Sequence, residues 1–137
     1  IYAPGKAHSG TDIMIEYIED SVVFTGDNVL NTRIARMDDG TFQGNINACQ
    51  VAADIQAKHY VPGHGPVGGR DVPIKYKIYL ETLYQEVERL FEDELESFEM
   101  KEPIVKKLEA YGDWVNFTDE IGRHISLALL EVEENAF

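Results

Sequence analysis

One cysteine, Cys49, stands among the 137 residues, so no disulfide can form within the chain. That excludes a cross-linked secreted miniprotein and fits a reducing, cytoplasmic compartment. No apolar run approaches the roughly 20 residues that a bilayer-spanning helix needs, so no membrane role is expected. Basic residues are scarce: 12 Lys and Arg face 25 Asp and Glu, for a formal net charge of −13. Such a field repels phosphate backbones and argues against a nucleic-acid partner. It attracts metal cations, but composition alone marks no site. Internal repeats and low-complexity stretches are also missing. No secretory leader is visible, although one upstream of Ile1 would be hidden.

What is present suffices for a core. The chain is 44% hydrophobic and long enough for one domain. Its most constrained stretch is Pro62-Gly63-His64-Gly65-Pro66, directly after the short apolar run ending in Tyr60-Val61. Proline fixes φ and glycine opens conformations closed to other residues, so this turn holds one imidazole rigidly at a strand end. Val22 to Asp27 has the same design, an apolar strand that delivers a carboxylate after Gly26. Upstream, His8 lies in the Gly-containing loop Ala7 to Asp12, before a strand. Three loops thus offer His8, Asp27 and His64. Nitrogen and oxygen donors of this kind suit zinc, and also iron or manganese.

The first segment, residues 1–70, reads as α/β. Strands are expected near 13–18 and 21–25, joined through Glu19-Asp20, with a loop from Asn28 to Gly44. A helix capped by Asn45 or Asn47 should run to about Ala57, and a short strand should cover Lys58 to Val61. The second segment, residues 71–137, reads as helical. Tyr76, Leu80, Leu83, Val87, Leu90, Phe91 and Phe98 recur at three- and four-residue steps. Pro103 suits the first turn of a helix over Ile104 to Tyr111 that Gly112 ends. A last helix, capped by Thr118, carries Ile121, Ile125, Ala128 and Val132 on its apolar face.

The order of AHSGTD, two strands, FTGD, a helix and YVPGHGPV resembles the second half of a metallo-β-lactamase-fold hydrolase. The spacing is similar too, with 19 residues from His8 to Asp27 and 37 from Asp27 to His64. The resemblance implies half of an αββα sandwich in residues 1–70, with a helical extension in 71–137 packed on it. It implies that His8 binds one metal ion, His64 a second, and Asp27 bridges both and helps hold the attacking hydroxide. Zinc is the implied metal, as one ion or two. Asp12 is expected behind these ligands, as a cap or a supporting acid. The chain departs from the family in one respect: the HxHxDH element that supplies most of the ligands is absent, and residues 1–4 run straight into the AHSGTD loop. The expectation is therefore the C-terminal part of a longer, metal-dependent hydrolase of small molecules, catalytically poor by itself.

Each residue also has a plainer assignment. His64 could be a turn histidine satisfied by backbone, Asp27 a cap after Gly26, and His8 a solvent-exposed loop residue. The PGHGP frame, and the three residues taken together, favour ligands. His59 and His124 read as structural, and Cys49 as a small buried apolar residue. Two rival functions stay open. One is a half-domain without catalysis that self-associates through an uncovered sheet face. The other is a one-iron dioxygenase acting on a persulfide, as some relatives of this fold are.

Overall fold

The computed structural model describes all 137 residues. Four strands form one sheet in the order β1 (Tyr2–Gly5), β2 (Asp12–Tyr17), β3 (Val22–Gly26) and β4 (His59–Pro62). β1 to β3 run antiparallel and β4 lies parallel to β3. The crossover between those parallel strands contains helix α1 (Phe42–Ile55), as the geometry of a parallel pair requires. Helices α2 (Asp71–Glu92), α3 (Ser97–Lys107) and α4 (Phe117–Asn135) follow.

Side chains alternate across a strand, so the sheet has two distinct faces. Met14, Val23, Thr25 and Tyr60 are buried. The three apolar ones join a core cluster with Phe42, Cys49 and Ala52 of α1 and Tyr76, Tyr79, Leu80 and Leu83 of α2. The same cluster continues through Met100 and Ile104 of α3 to Ile121, Ile125, Ala128 and Val132 of α4. All the helices therefore build on one side of the sheet. The opposite face carries Ile13, Ile15, Tyr17 and Phe24, which are apolar and exposed, with Tyr17 packed edge-on against Phe24. A solvated sheet face normally alternates to polar residues; this one does not.

Several element ends differ from the sequence reading. α1 starts at Phe42, and its cap is Thr41, which accepts from the Gly44 amide at 3.1 Å. Its first two amides donate to the Glu131 carboxylate of α4 at 2.7 and 3.1 Å. That partner is 89 residues away from Phe42. Asn45, read as a cap, is instead buried inside the helix, where its Nδ2 donates to the Asn28 carbonyl at 2.6 Å. α3 starts at Ser97, not at Ile104, because Glu96 and Glu99 form a capping box ahead of it. Pro103 sits inside this helix; the carbonyl it leaves without a donor belongs to Glu99, an exposed residue. Phe98 is exposed and does not continue the apolar face of α2. The last helix begins at Phe117 after the cap Asn116, whose φ is +69°, two residues ahead of the expected cap Thr118. β1 is an additional strand, distorted by an irregularity between Tyr2 and Gly5.

Candidate metal centre

Three loops at one end of the sheet bring His8, Asp27 and His64 together. Asp27 follows β3 directly, and His64 follows the adjacent parallel strand β4. Two strands that run in parallel end side by side, so their following residues become neighbours although 37 positions apart. The Gly63 amide fixes the join by donating to the Gly26 carbonyl at 2.8 Å. Asn31 holds the far side of the turn: its amide donates to the His64 carbonyl at 3.1 Å and its Nδ2 to the Pro66 carbonyl at 2.8 Å. Gly65 has a φ of +99°, a backbone state closed to most side chains.

The loop that carries His8 is pinned from two sides. Asp12 accepts from both the amide and the hydroxyl of Ser9 at 2.8 Å, closing the turn beside His8. The Ala7 carbonyl accepts from the Thr41 amide at 2.8 Å. Gly40 passes so close that a Cβ there would lie 2.1 Å from that carbonyl. Asp12 is thus engaged with Ser9 and touches no ring nitrogen.

The resulting geometry is pairwise. His8 Nε2 lies 3.6 Å from Asp27 Oδ2, and His64 Nε2 lies 3.5 Å from Asp27 Oδ1. One carboxylate therefore turns a different oxygen to each imidazole. Exposure rises from 24% for His8 to 36% for Asp27 and 55% for His64, so the group faces outward. The His8 Nδ1 atom is buried without a partner. No group of three or more His, Cys, Asp or Glu side chains in the chain is placed to hold a metal ion by itself. Two contacts share one acid, and neither pair encloses an ion.

The three side chains line an open cavity of about 260 Å³ with Leu30, Ile34, Ala35, Arg33, Arg36 and Asn116. The last three are polar residues that motif reasoning passed over. Arg33 and Arg36 sit in the segment read as a loop from Asn28 to Gly44, and Asn116 comes from the turn before α4. Their pairing is non-local. Residues 32–34 form a short parallel bridge with Val115, the Ile34 amide donating to Val115 and the Val115 amide donating to Thr32. Behind this wall His124 is fully buried. Its Nε2 contacts the Ala35 carbonyl and its Nδ1 lies 2.9 Å from the Tyr79 hydroxyl. The tautomer with Nε2–H satisfies both contacts, since a carbonyl can only accept. Burial pushes the pKa of His124 down to about 4. Cys49 is likewise buried, and desolvation drives its thiol far above the ordinary range, so it is no nucleophile.

Three solved structures share this fold. A metallo-β-lactamase from Pontibacter korlensis is 22% identical with a TM-score of 0.55, over 58% of this chain and 40% of that one. VMB-1 at pH 5.5 is 24% identical with a TM-score of 0.53, over 58% and 38%. FIM-1 from Pseudomonas aeruginosa, in its mono-zinc form, is 24% identical with a TM-score of 0.52, over 57% and 37%. The chain has the fold of part of a metallo-β-lactamase domain, and it spans about two fifths of the length of these proteins. Compared with models of protein families and with curated proteins, it matches none.

Proposed function

We propose that the chain supplies one half of the metal centre of a metal-dependent hydrolase: His8 to one ion, His64 to a second, and Asp27 to both. The observation that carries this reading is the sharing of the two Asp27 oxygens between two imidazoles, at 3.5 and 3.6 Å. Ligands about 2.0–2.1 Å from a tetrahedral zinc lie about 3.4 Å from one another, so these separations suit donors that share a cation. Neutral imidazoles and a carboxylate are a zinc donor set. A ligand histidine commonly donates its other N–H to an acceptor. Beside the buried His8 Nδ1 no such acceptor stands, and the remaining metal ligands come from outside this chain. A metal bound here supplies an activated water, with a pKa near 7 in zinc enzymes. The chain's own part is to hold three donors on rigid loops and to wall the cavity where a small substrate sits. Zinc titrated into the chain in a calorimeter should bind weakly. An Asp27→Ala, His64→Ala double variant should lose that binding, and equal heats from both proteins would remove the assignment.

A second reading rests on the outer sheet face. Ile13, Ile15, Tyr17 and Phe24 form a contiguous apolar surface on paired strands, and such a surface marks a place where something packs. In this reading the chain pairs with a second copy of itself through that face. Sedimentation should show association that rises with concentration and is lost in Tyr17→Lys, Phe24→Lys. A monomer at all concentrations would dismiss it.

A further inference from the structure

Helix α4 holds the segment between β3 and α1 at several points. Besides the His124 contact to Ala35, Arg123 donates from Nε to the Asp38 carboxylate at 2.6 Å, and its Nη2 lies 2.5 Å from the same oxygen. Two turns further along, Glu131 accepts from the Phe42 and Gln43 amides. The segment held in this way is the one that touches the His8 loop. The Thr41 amide donates to the Ala7 carbonyl at 2.8 Å. A Cβ added at Gly40 would lie 2.1 Å from the Ala7 carbonyl oxygen and 2.5 Å from that of His8, and one at Gly44 would lie 1.9 Å from the Lys6 oxygen. Backbone therefore lies directly on backbone, with no side chain between them to yield. The His8 ring has no hydrogen bond of its own at Nδ1, so its loop decides where it points.

We propose that Arg123 and Glu131 are positioning residues for His8: α4 sets the segment from Asp38 to Gln43, and that segment sets the loop that presents the imidazole. As a statement about metal binding it rests on the reading of the metal centre given above. His64 stands outside this ladder of contacts, because its turn is held by the Gly26 carbonyl and by Asn31. The two sides of the centre thus have separate supports. Neighbours at the end of the sheet fix His64, and a helix from the far end of the sequence fixes His8. A ligand constellation must be held to about 0.5 Å, which backbone packed on backbone can do and a free loop cannot. The Arg123–Asp38 pair is partly exposed, and an ion pair of that kind adds little to global stability. Its loss should therefore be felt at the His8 loop rather than throughout the fold.

The test titrates zinc into the full chain and follows the ring signals of His8 and His64 separately. Arg123→Ala should weaken the zinc response of the His8 ring about tenfold, the low end of what losing a group that orients a ligand costs, and leave that of His64 within about twofold. Glu131→Ala should act in the same direction. Arg123→Lys should recover part of the loss, since the charge stays while the planar fork goes. Glu131→Gln should also recover part, because its amide oxygen still accepts. Arg89→Ala breaks an ion pair with Glu86 and Asp93 on α2, and it should leave both rings as in the parent. In the metal-free chain, exchange of the Thr41 amide should accelerate in Arg123→Ala while the urea midpoint stays near the parental value. Equal weakening at His8 and His64, or parental responses at both, overturns the positioning role. Failure of zinc to bind the parent removes the metal centre, and Thr41 exchange then decides. Faster exchange in Arg123→Ala and Glu131→Ala keeps the hold of α4 on the His8 loop, and unchanged exchange overturns it.

Discussion

Gly63→Ala is expected to uncouple His64 from Asp27. A Cβ at position 63 would lie 1.9 Å from Asp27 Oδ1, 2.8 Å from the Asp27 amide nitrogen and 2.8 Å from the Gly26 carbonyl carbon. The carboxylate could swing away, but the two backbone atoms cannot yield without moving the end of β3. Either response breaks the arrangement in which one acid faces two imidazoles. Overpacking of this kind costs about 1–3 kcal/mol, so the urea midpoint should fall. Zinc binding should drop toward the level of the Asp27→Ala, His64→Ala variant. Gly10→Ala is the matched control. It lies in the His8 loop with nothing within 4 Å of its added carbon, and it should leave both readouts unchanged. A Gly63→Ala protein with parental stability and parental zinc heats would mean that the close fit between the two loops does not hold the site.

This close fit also accounts for the convergence of His8, Asp27 and His64, the part of the candidate site that was legible in the sequence. Gly63, Gly65, Pro62 and Pro66 advertise a constrained turn locally, and Gly26-Asp27 advertises a strand end. Each signal is contained in a few consecutive residues. Strands β2, β3 and β4 and the apolar faces of α2 and α4 were legible for the same reason, since periodicities of two and 3.6 are local properties. What escaped was set by distant partners. The start of α1 depends on a carboxylate from α4, and the wall of the cavity depends on a bridge between residues 32–34 and Val115. Val29, Leu30, Ile34, Ala35 and Met37 are buried in a segment that reads as loop, because no period organises them. Arg33 and Asn116 became neighbours only through that packing. Pro103 misled by a different route: proline favours a helix start, but Glu96 and Glu99 had already begun one.

The buried His124 should make the chain's stability depend steeply on pH. Its pKa in the folded protein is about 4, lowered by burial from 6.5. The unfolded chain takes up this proton near pH 6.5, whereas the folded chain refuses it until about pH 4. Between those values the unfolded state holds more protons, so stability rises with pH across the window. The contribution is complete above pH 6.5 and is lost progressively on acidification toward pH 4. A depression of this size corresponds to about 3 kcal/mol at 1.36 kcal/mol per unit. Protonation puts a hydrogen on Nδ1, where the Tyr79 hydroxyl now donates, so the penalty reflects a lost hydrogen bond as well as a buried charge. Urea unfolding from pH 7 to pH 4.5 should therefore show a falling midpoint. In His124→Gln, which cannot titrate, the slope over this window should flatten while stability at pH 7 drops. Groups common to both proteins cancel in the difference, including His8, His59, His64 and the surface carboxylates. Parallel pH slopes for the two proteins would show that His124 is not the group that titrates.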